Sequence, residues 1–189
     1  MNKGDRRLIF EWLTSADAKL PLSIEWLEKQ SPDTWHVIAT GWNYDYRADP
    51  LLWIVSQSAC DRGTALCVFL KEASSWVKYP DPVGLNEYYQ ICWGICEAVS
   101  RRWKEKLYPS FKFLPLGADL PSDYSQYVKI FKSARANAIE ALGVLPWDLP
   151  DDAFQLPSGL KEPDSIYSFG DNELRYRLDY WEHNIRKTP

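Results

Sequence analysis

Two histidines, four cysteines and an abundance of carboxylates and tryptophans are the residues of this chain from which chemistry could be built. His36 stands beside Trp35 in the first turns of a segment announced as helical by Ser31-Pro32-Asp33. His183 falls in the final turn of the last apolar-periodic segment, where a partial positive charge is favoured by the helix dipole. Both read as core-edge or surface helix residues. The sequence contains no Gly-x-Ser-x-Gly elbow, phosphate-binding glycine loop, His-Glu-x-x-His pair or calcium-binding loop. Cys60, Cys67, Cys92 and Cys96 have neither zinc-finger nor redox spacing, and the last two lie four apart on one helical face. They read as small buried thiols. No catalytic residue, metal ligand or cofactor is expected.

Paired carboxylates in a tryptophan-lined cleft would support glycoside hydrolysis, and a hydrolase of that kind is the alternative enzymatic reading. Against it, Trp26, Trp35, Trp53, Trp93, Trp103 and Trp181 fall at apolar positions of predicted helices, which makes them core residues rather than sugar platforms. Binding is the chemistry that remains. The turn Trp42-Asn43-Tyr44-Asp45-Tyr46 is polar and aromatic, and such rings give large, rigid contact area at small entropic cost. A second candidate surface starts at Trp147, an aromatic anchor followed by Asp148, Asp151 and Asp152. The partner-binding candidates are therefore Trp147, Asp148, Asp151, Asp152, Trp42, Tyr44, Asp45 and Tyr46.

Charge sharpens the second surface. From Val144 to Glu173 seven acids face one base, Lys161, a local net of −6 in a chain of net −4, so the remainder carries +2. An acidic segment on a nearly neutral body repels nucleic acid and anionic membranes and speeds encounter with basic partners. The sequence pI of about 5.3 and the lack of an extended basic patch point away from nucleic acid.

The elements that must position these residues are helical. Ser31-Pro32 and Asp49-Pro50 each place a capping oxygen before a first-turn proline, predicting a helix through Trp35, Ile38 and Trp42 and another from Leu51 to Val55. Ala65, Leu66, Phe69, Leu70 and Ala73 predict a third from Asp61 to Ser75. The strongest stripe runs from Asn86 to Lys106 through Tyr88, Tyr89, Cys92, Trp93, Cys96, Val99 and Trp103, with Arg101, Arg102, Lys104 and Lys106 near its end. Tyr124 to Leu142 follows the same logic and stops at Gly143. A last helix is expected from Asp171, through Leu174, Leu178, Trp181 and Ile185. Prolines 146, 150, 157 and 163 forbid a long helix between. Strand alternation is confined to a weak possibility at Ser110 to Leu116. The expected fold is all-α: an irregular bundle of six or seven helices in one domain, 1–189, with a proline-rich acidic loop, 144–172, near the C-terminus.

The chain's 189 residues are enough to bury roughly 70% of the unfolded surface without metals or disulfides. Hydrophobic residues at 46% and charged residues at 25% place it among globular proteins. No apolar run approaches the ~20 residues of a membrane span. The basic N-terminus is followed by only a short apolar stretch, Leu8 to Leu13, broken by Glu11, so cytoplasmic residence is the expectation.

Within 31–77, the run Pro50-Leu51-Leu52-Trp53-Ile54, then Cys60-Asp61-Arg62-Gly63-Thr64-Ala65-Leu66 and Phe69, resembles the bacterial domain-of-unknown-function family 4274 over Trp35 to Phe69, with the pattern Cys-Asp-x-Gly-Thr-Ala-Leu-x-x-Phe. The turn departs from the family's pattern, reading Trp42-Asn43-Tyr44-Asp45 here. The resemblance implies no catalytic role. It implies an accessory or immunity-type protein of a bacterial toxin system. The residues themselves have structural readings: Asp61 as helix cap, Gly63 for close packing, Thr64 for a first-turn backbone group. The expectation is thus a non-enzymatic immunity protein that occludes a cognate toxin or effector, with an effector-binding adaptor or chaperone as a further alternative.

Overall fold

The computed structural model describes residues 24–42, 48–115 and 124–161. Six α-helices lie among them: α1 (Ile24–Leu27), α2 (Pro32–Gly41), α3 (Asp49–Ser56), α4 (Arg62–Trp76), α5 (Glu87–Lys104) and α6 (Tyr124–Leu142). A 3₁₀ turn, Asp151–Phe154, follows. The architecture is an all-α bundle, as the periodicity predicts. The described residues contain no named strand, only an isolated parallel bridge between Phe113 and Lys161. No helix among them is long and apolar enough to cross a membrane. The expected helix from Asp171, with His183 and Trp181, lies outside the described residues.

Local signals set most of the boundaries. Ser31 accepts from the Thr34 N–H, Asp61 from the Gly63 N–H, and Asn86 from the Tyr89 N–H, so α2, α4 and α5 each begin on a side-chain cap. The third expected cap is displaced by one residue. Ala48 occupies the cap position of α3 and contributes no side-chain bond, while Asp49 opens the helix with Pro50 in its first turn, where the dipole favours an acid. Gly143, at φ +74°, ends α6 in the left-handed region.

α4 is the middle of the bundle, packed against α2, α3, α5 and α6, with α5 also against α3 and α1 against α3. Residues 63–70 of α4 are buried without a break, so this helix is apolar on all sides, as a helix with neighbours all round must be. Phe69 projects towards α6, where its ring meets Phe131 edge-on at 5.1 Å. Trp35 of α2 meets Trp53 of α3 in the same way at 5.3 Å. Each such pair adds about 0.5–1.5 kcal/mol beyond the area it buries. Most of the helical tryptophans read as core from their spacing do pack on the core: Trp35 and Trp93 within it, Trp26, Trp53 and Trp103 at its edge.

The end of α5 shows a feature that spacing does not reveal. Leu107 N–H donates to the Arg102 carbonyl and Lys106 N–H to the Trp103 carbonyl, which is the two-bond closure of a left-handed helix terminus. The residue in the left-handed conformation is Lys106, at φ 56°, where glycine is usual. Its side chain is exposed and carries the conformational cost of a Cβ without any packing in return. Lys106→Gly is therefore expected to raise stability by about 1 kcal/mol, read as a higher denaturation midpoint with an unchanged denaturant slope.

Candidate functional site

The site begins at the Asp61 carboxylate. Asp61 is 1% exposed, and its two oxygens accept from four donors. Oδ1 takes the Gly63 N–H at 2.8 Å and the Phe113 N–H at 3.4 Å; Oδ2 takes the Ser110 hydroxyl and the Lys112 N–H, both at 2.8 Å. The Arg62 N–H donates to the Ser110 carbonyl at 2.7 Å. One buried anion thus caps α4 and pins the extended segment 110–113 across the start of that helix. A Cβ on Gly63 would stand 2.0 Å from the Phe113 carbonyl oxygen, so only glycine admits this approach.

Beside this hub, the Thr64 hydroxyl bonds His36 Nδ1 at 2.9 Å, a tertiary partner in place of the first-turn backbone group expected for it. The His36 ring stacks on Phe113 with centroids 4.5 Å apart. His36 is fully buried, where a core-edge or surface position was expected, because α2 crosses α4 at its first turn. Burial lowers its pKa to about 3; the Leu114 backbone pulls the other way and Lys71 pushes further down. The four cysteines are free and buried, as expected, and burial raises every one of their thiols above the ordinary range. Glu72, also buried, accepts from the Trp76 indole at 2.6 Å, and burial raises its carboxyl too. These groups are sealed from solvent. No set of three or more His, Cys, Asp or Glu able to hold a metal occurs among the described residues.

Segment 144–161 is not the protruding acidic loop that its composition suggests. It is a strap bound to the bundle. Trp147 is 2% exposed and meets Phe69 edge-on at 5.7 Å, while Phe154 lies 5.7 Å from Phe131. The Ser100 hydroxyl bonds the Asp148 backbone at both its carbonyl and its N–H, and the Tyr124 hydroxyl donates to the Phe154 carbonyl. Arg135 of α6 pairs with Asp148 at 2.8 Å and with Asp151 at 3.0 Å, and Lys132 stands 3.6 Å from Asp151. Burial raises the Asp148 carboxyl, with Arg135 opposing. Beyond the strap's 3₁₀ turn, Lys161 pairs with segment 112–114 through two backbone bonds. The weak strand expectation at Ser110 to Leu116 is realised as this single bridge.

The sequence-derived candidates separate accordingly. Trp147 and Trp42, expected as loop anchors, are core residues at 2% and 5% exposure. Asp148 is half-buried and ion-paired, whereas Asp151 and Asp152 are exposed. Tyr44, Asp45 and Tyr46 lie outside the described residues.

Where the strap passes the hub it leaves an open cleft of about 400 Å³, lined by Arg62, Trp103, Phe111, Asp152, Ala153, Gln155, Leu156 and Pro157. Arg62 is the first residue of α4; its guanidinium lies over the Trp103 ring, 5.7 Å from the centroid. Trp103, in the last turn of α5, meets Phe111 edge-on at 6.4 Å. Tyr108 supports this wall, donating to the Val55 carbonyl at 2.9 Å under the Arg102 guanidinium. Among the described residues Asp152 is the one carboxylate in the lining, where paired-acid hydrolysis asks for two. Sequence reasoning missed Arg62 and Phe111; the available signal was an arginine placed directly after a capping aspartate.

Residues 30–104 match the model of a domain of unknown function (DUF4274), a span that runs from the cap of α2 to the end of α5 and so includes Arg62 and Trp103. The chain resembles that family there, while Phe111 and the strap fall beyond the match. No curated protein and no solved structure gives a significant match.

Two outcomes test the hub. Gly63→Ala is expected to cost more than about 2 kcal/mol, because Phe113 must be displaced and the Asp61 bonds with it, measured by denaturant unfolding. His36 stays neutral in the fold down to about pH 3, whereas the unfolded imidazole takes up its proton near 6.5. Its contribution is therefore complete above pH 6.5 and declines as pH falls towards 3. Between pH 7.5 and 5 the parent should lose about 2 kcal/mol more stability than His36→Gln.

Proposed function

We propose that this chain is a non-enzymatic immunity protein, resident in the cytoplasm, that binds a cognate bacterial toxin or effector and occludes its active site or substrate surface. The observation that carries the reading is the contrast between interior and surface. The described imidazole and thiols are shut in the core, while the strap holds Asp151 and Asp152 in solvent above an aromatic cleft. A surface of fixed aromatics flanked by exposed charge suits protein recognition, since a few rigid anchors dominate such binding and exposed carboxylates speed encounter with a basic partner. The immunity assignment itself extends the family resemblance; the residues support binding in general.

Trp147, now a core residue, is a poor probe of contact because its removal disturbs folding. Asp151→Asn with Asp152→Asn is the better one. Both side chains are exposed, and surface ion pairs add little stability. Co-expressed with the product of the neighbouring gene, the parent should form an isolable complex and abolish that product's toxicity. The double variant should bind at least about tenfold more weakly, a change of about 1.4 kcal/mol. Undiminished binding and protection by the double variant would remove the strap from the interface. Binding without loss of toxin activity would replace immunity by an adaptor or chaperone role, and absence of any complex would remove the reading.

A further inference from the structure

We propose that the cleft between Arg62 and Asp152 is the anchor pocket of this surface, and that it receives an extended segment of a partner protein carrying an acidic side chain next to an aromatic or other bulky apolar one. The inference rests on the partner-binding reading above and assigns the chemistry recognised.

The cleft has two unlike walls. On one side stand Arg62, Trp103 and Phe111; on the other, Asp152, Gln155, Leu156 and Pro157. Arg62 is half-buried; its guanidinium rests on Trp103 and makes no ion pair or side-chain hydrogen bond among the described residues. A guanidinium presents five donors in a planar fork that matches a carboxylate, and it is more weakly hydrated than an ammonium. Held against an indole and screened on one side, it attracts an anion more strongly than exposed Asp152 attracts a cation, because the local dielectric is lower. The rings of Trp103 and Phe111 supply the adjoining apolar floor.

The opposite wall decides which anion. Asp152 and the Gln155 amide oxygen accept hydrogen bonds, and a peptide passing through the cleft offers backbone N–H groups to them. A nucleotide would bring about two negative charges to a pocket whose far wall carries a carboxylate, above a strap that also bears Asp151. A singly charged carboxylate on a peptide fits both walls.

Arg62 can be altered without touching the hub, because its structural hydrogen bond is made by the backbone N–H to Ser110. The test is a titration of the isotope-labelled full chain, observed at the Trp103 indole N–H, with the capped peptide acetyl-Phe-Glu-Gly-Gly-amide. Its glutamine counterpart and uridine monophosphate serve as comparison ligands. The glutamate peptide is expected to give a saturable shift in the millimolar range, weakened at least tenfold in the glutamine peptide and in Arg62→Ala. Equal shifts from the two peptides, or none at millimolar concentration, would overturn the proposal, as would tighter binding of uridine monophosphate. In the toxin complex, Arg62→Ala should weaken affinity at least tenfold. If Arg62→Ala binds like the parent while Asp151→Asn with Asp152→Asn weakens the complex, the pocket assignment fails and the partner-binding reading stands.

Discussion

The buried Asp61 carboxylate is the constraint on which the rest of the structure depends. An anion at 1% exposure is tolerable only when its oxygens are fully occupied, and four donors from two separate stretches of chain occupy them. One of those donors, the Gly63 N–H, belongs to the start of α4; the other three, from Ser110, Lys112 and Phe113, fix segment 110–113 in register, and the Arg62 N–H adds a parallel bond to the Ser110 carbonyl. Phe113, so placed, covers His36; Phe111, two residues earlier, meets Trp103 edge-on in the same wall of the cleft. Removing the carboxylate would leave several buried donors without acceptors at once, which is more costly than the loss of any single bond.

A second fixture joins the strap to the bundle. Phe69, Phe131, Trp147 and Phe154 form a contiguous aromatic group linking α4, α6 and the strap; Ser100 holds the Asp148 backbone between them and Arg135 its carboxylate. The two fixtures meet through the Phe113 and Lys161 bridge. The cleft lies between them, so its walls are set by core contacts rather than by the cleft's own residues. That arrangement suits recognition by preorganised groups, which lose little entropy on binding.

The helices were legible because their determinants are local. A serine and an aspartate in cap positions, first-turn prolines and three-to-four-residue apolar spacing all act within one or two turns, and they locate α2, α4, α5 and α6 closely. The strap was not legible, since nothing near Asp148 and Asp151 reveals that Arg135 lies opposite them. Composition made a solvated acidic loop of a segment whose charges are partly neutralised by a neighbouring helix. The same blindness misplaced Trp147: in a proline-rich stretch there is no period to indicate which way a ring faces. His36 was misjudged for a related reason, because the depth of a helix residue depends on which helix crosses it.

The motif around Asp61 reads as structural from sequence, with a cap at Asp61 and close packing at Gly63, and both roles are present in the structure. What local reading could not reach is that the same few residues serve two purposes. The backbone of Arg62 helps pin segment 110–113 while its side chain turns outward onto Trp103, so the residue that tightens the hub also places a cation in the cleft. A structural motif and a recognition surface are thereby made inseparable. Strain that displaced Phe113 would move Phe111, and with it the wall against which Arg62 and Trp103 are set. The cleft keeps its shape only while the carboxylate beneath it keeps its donors.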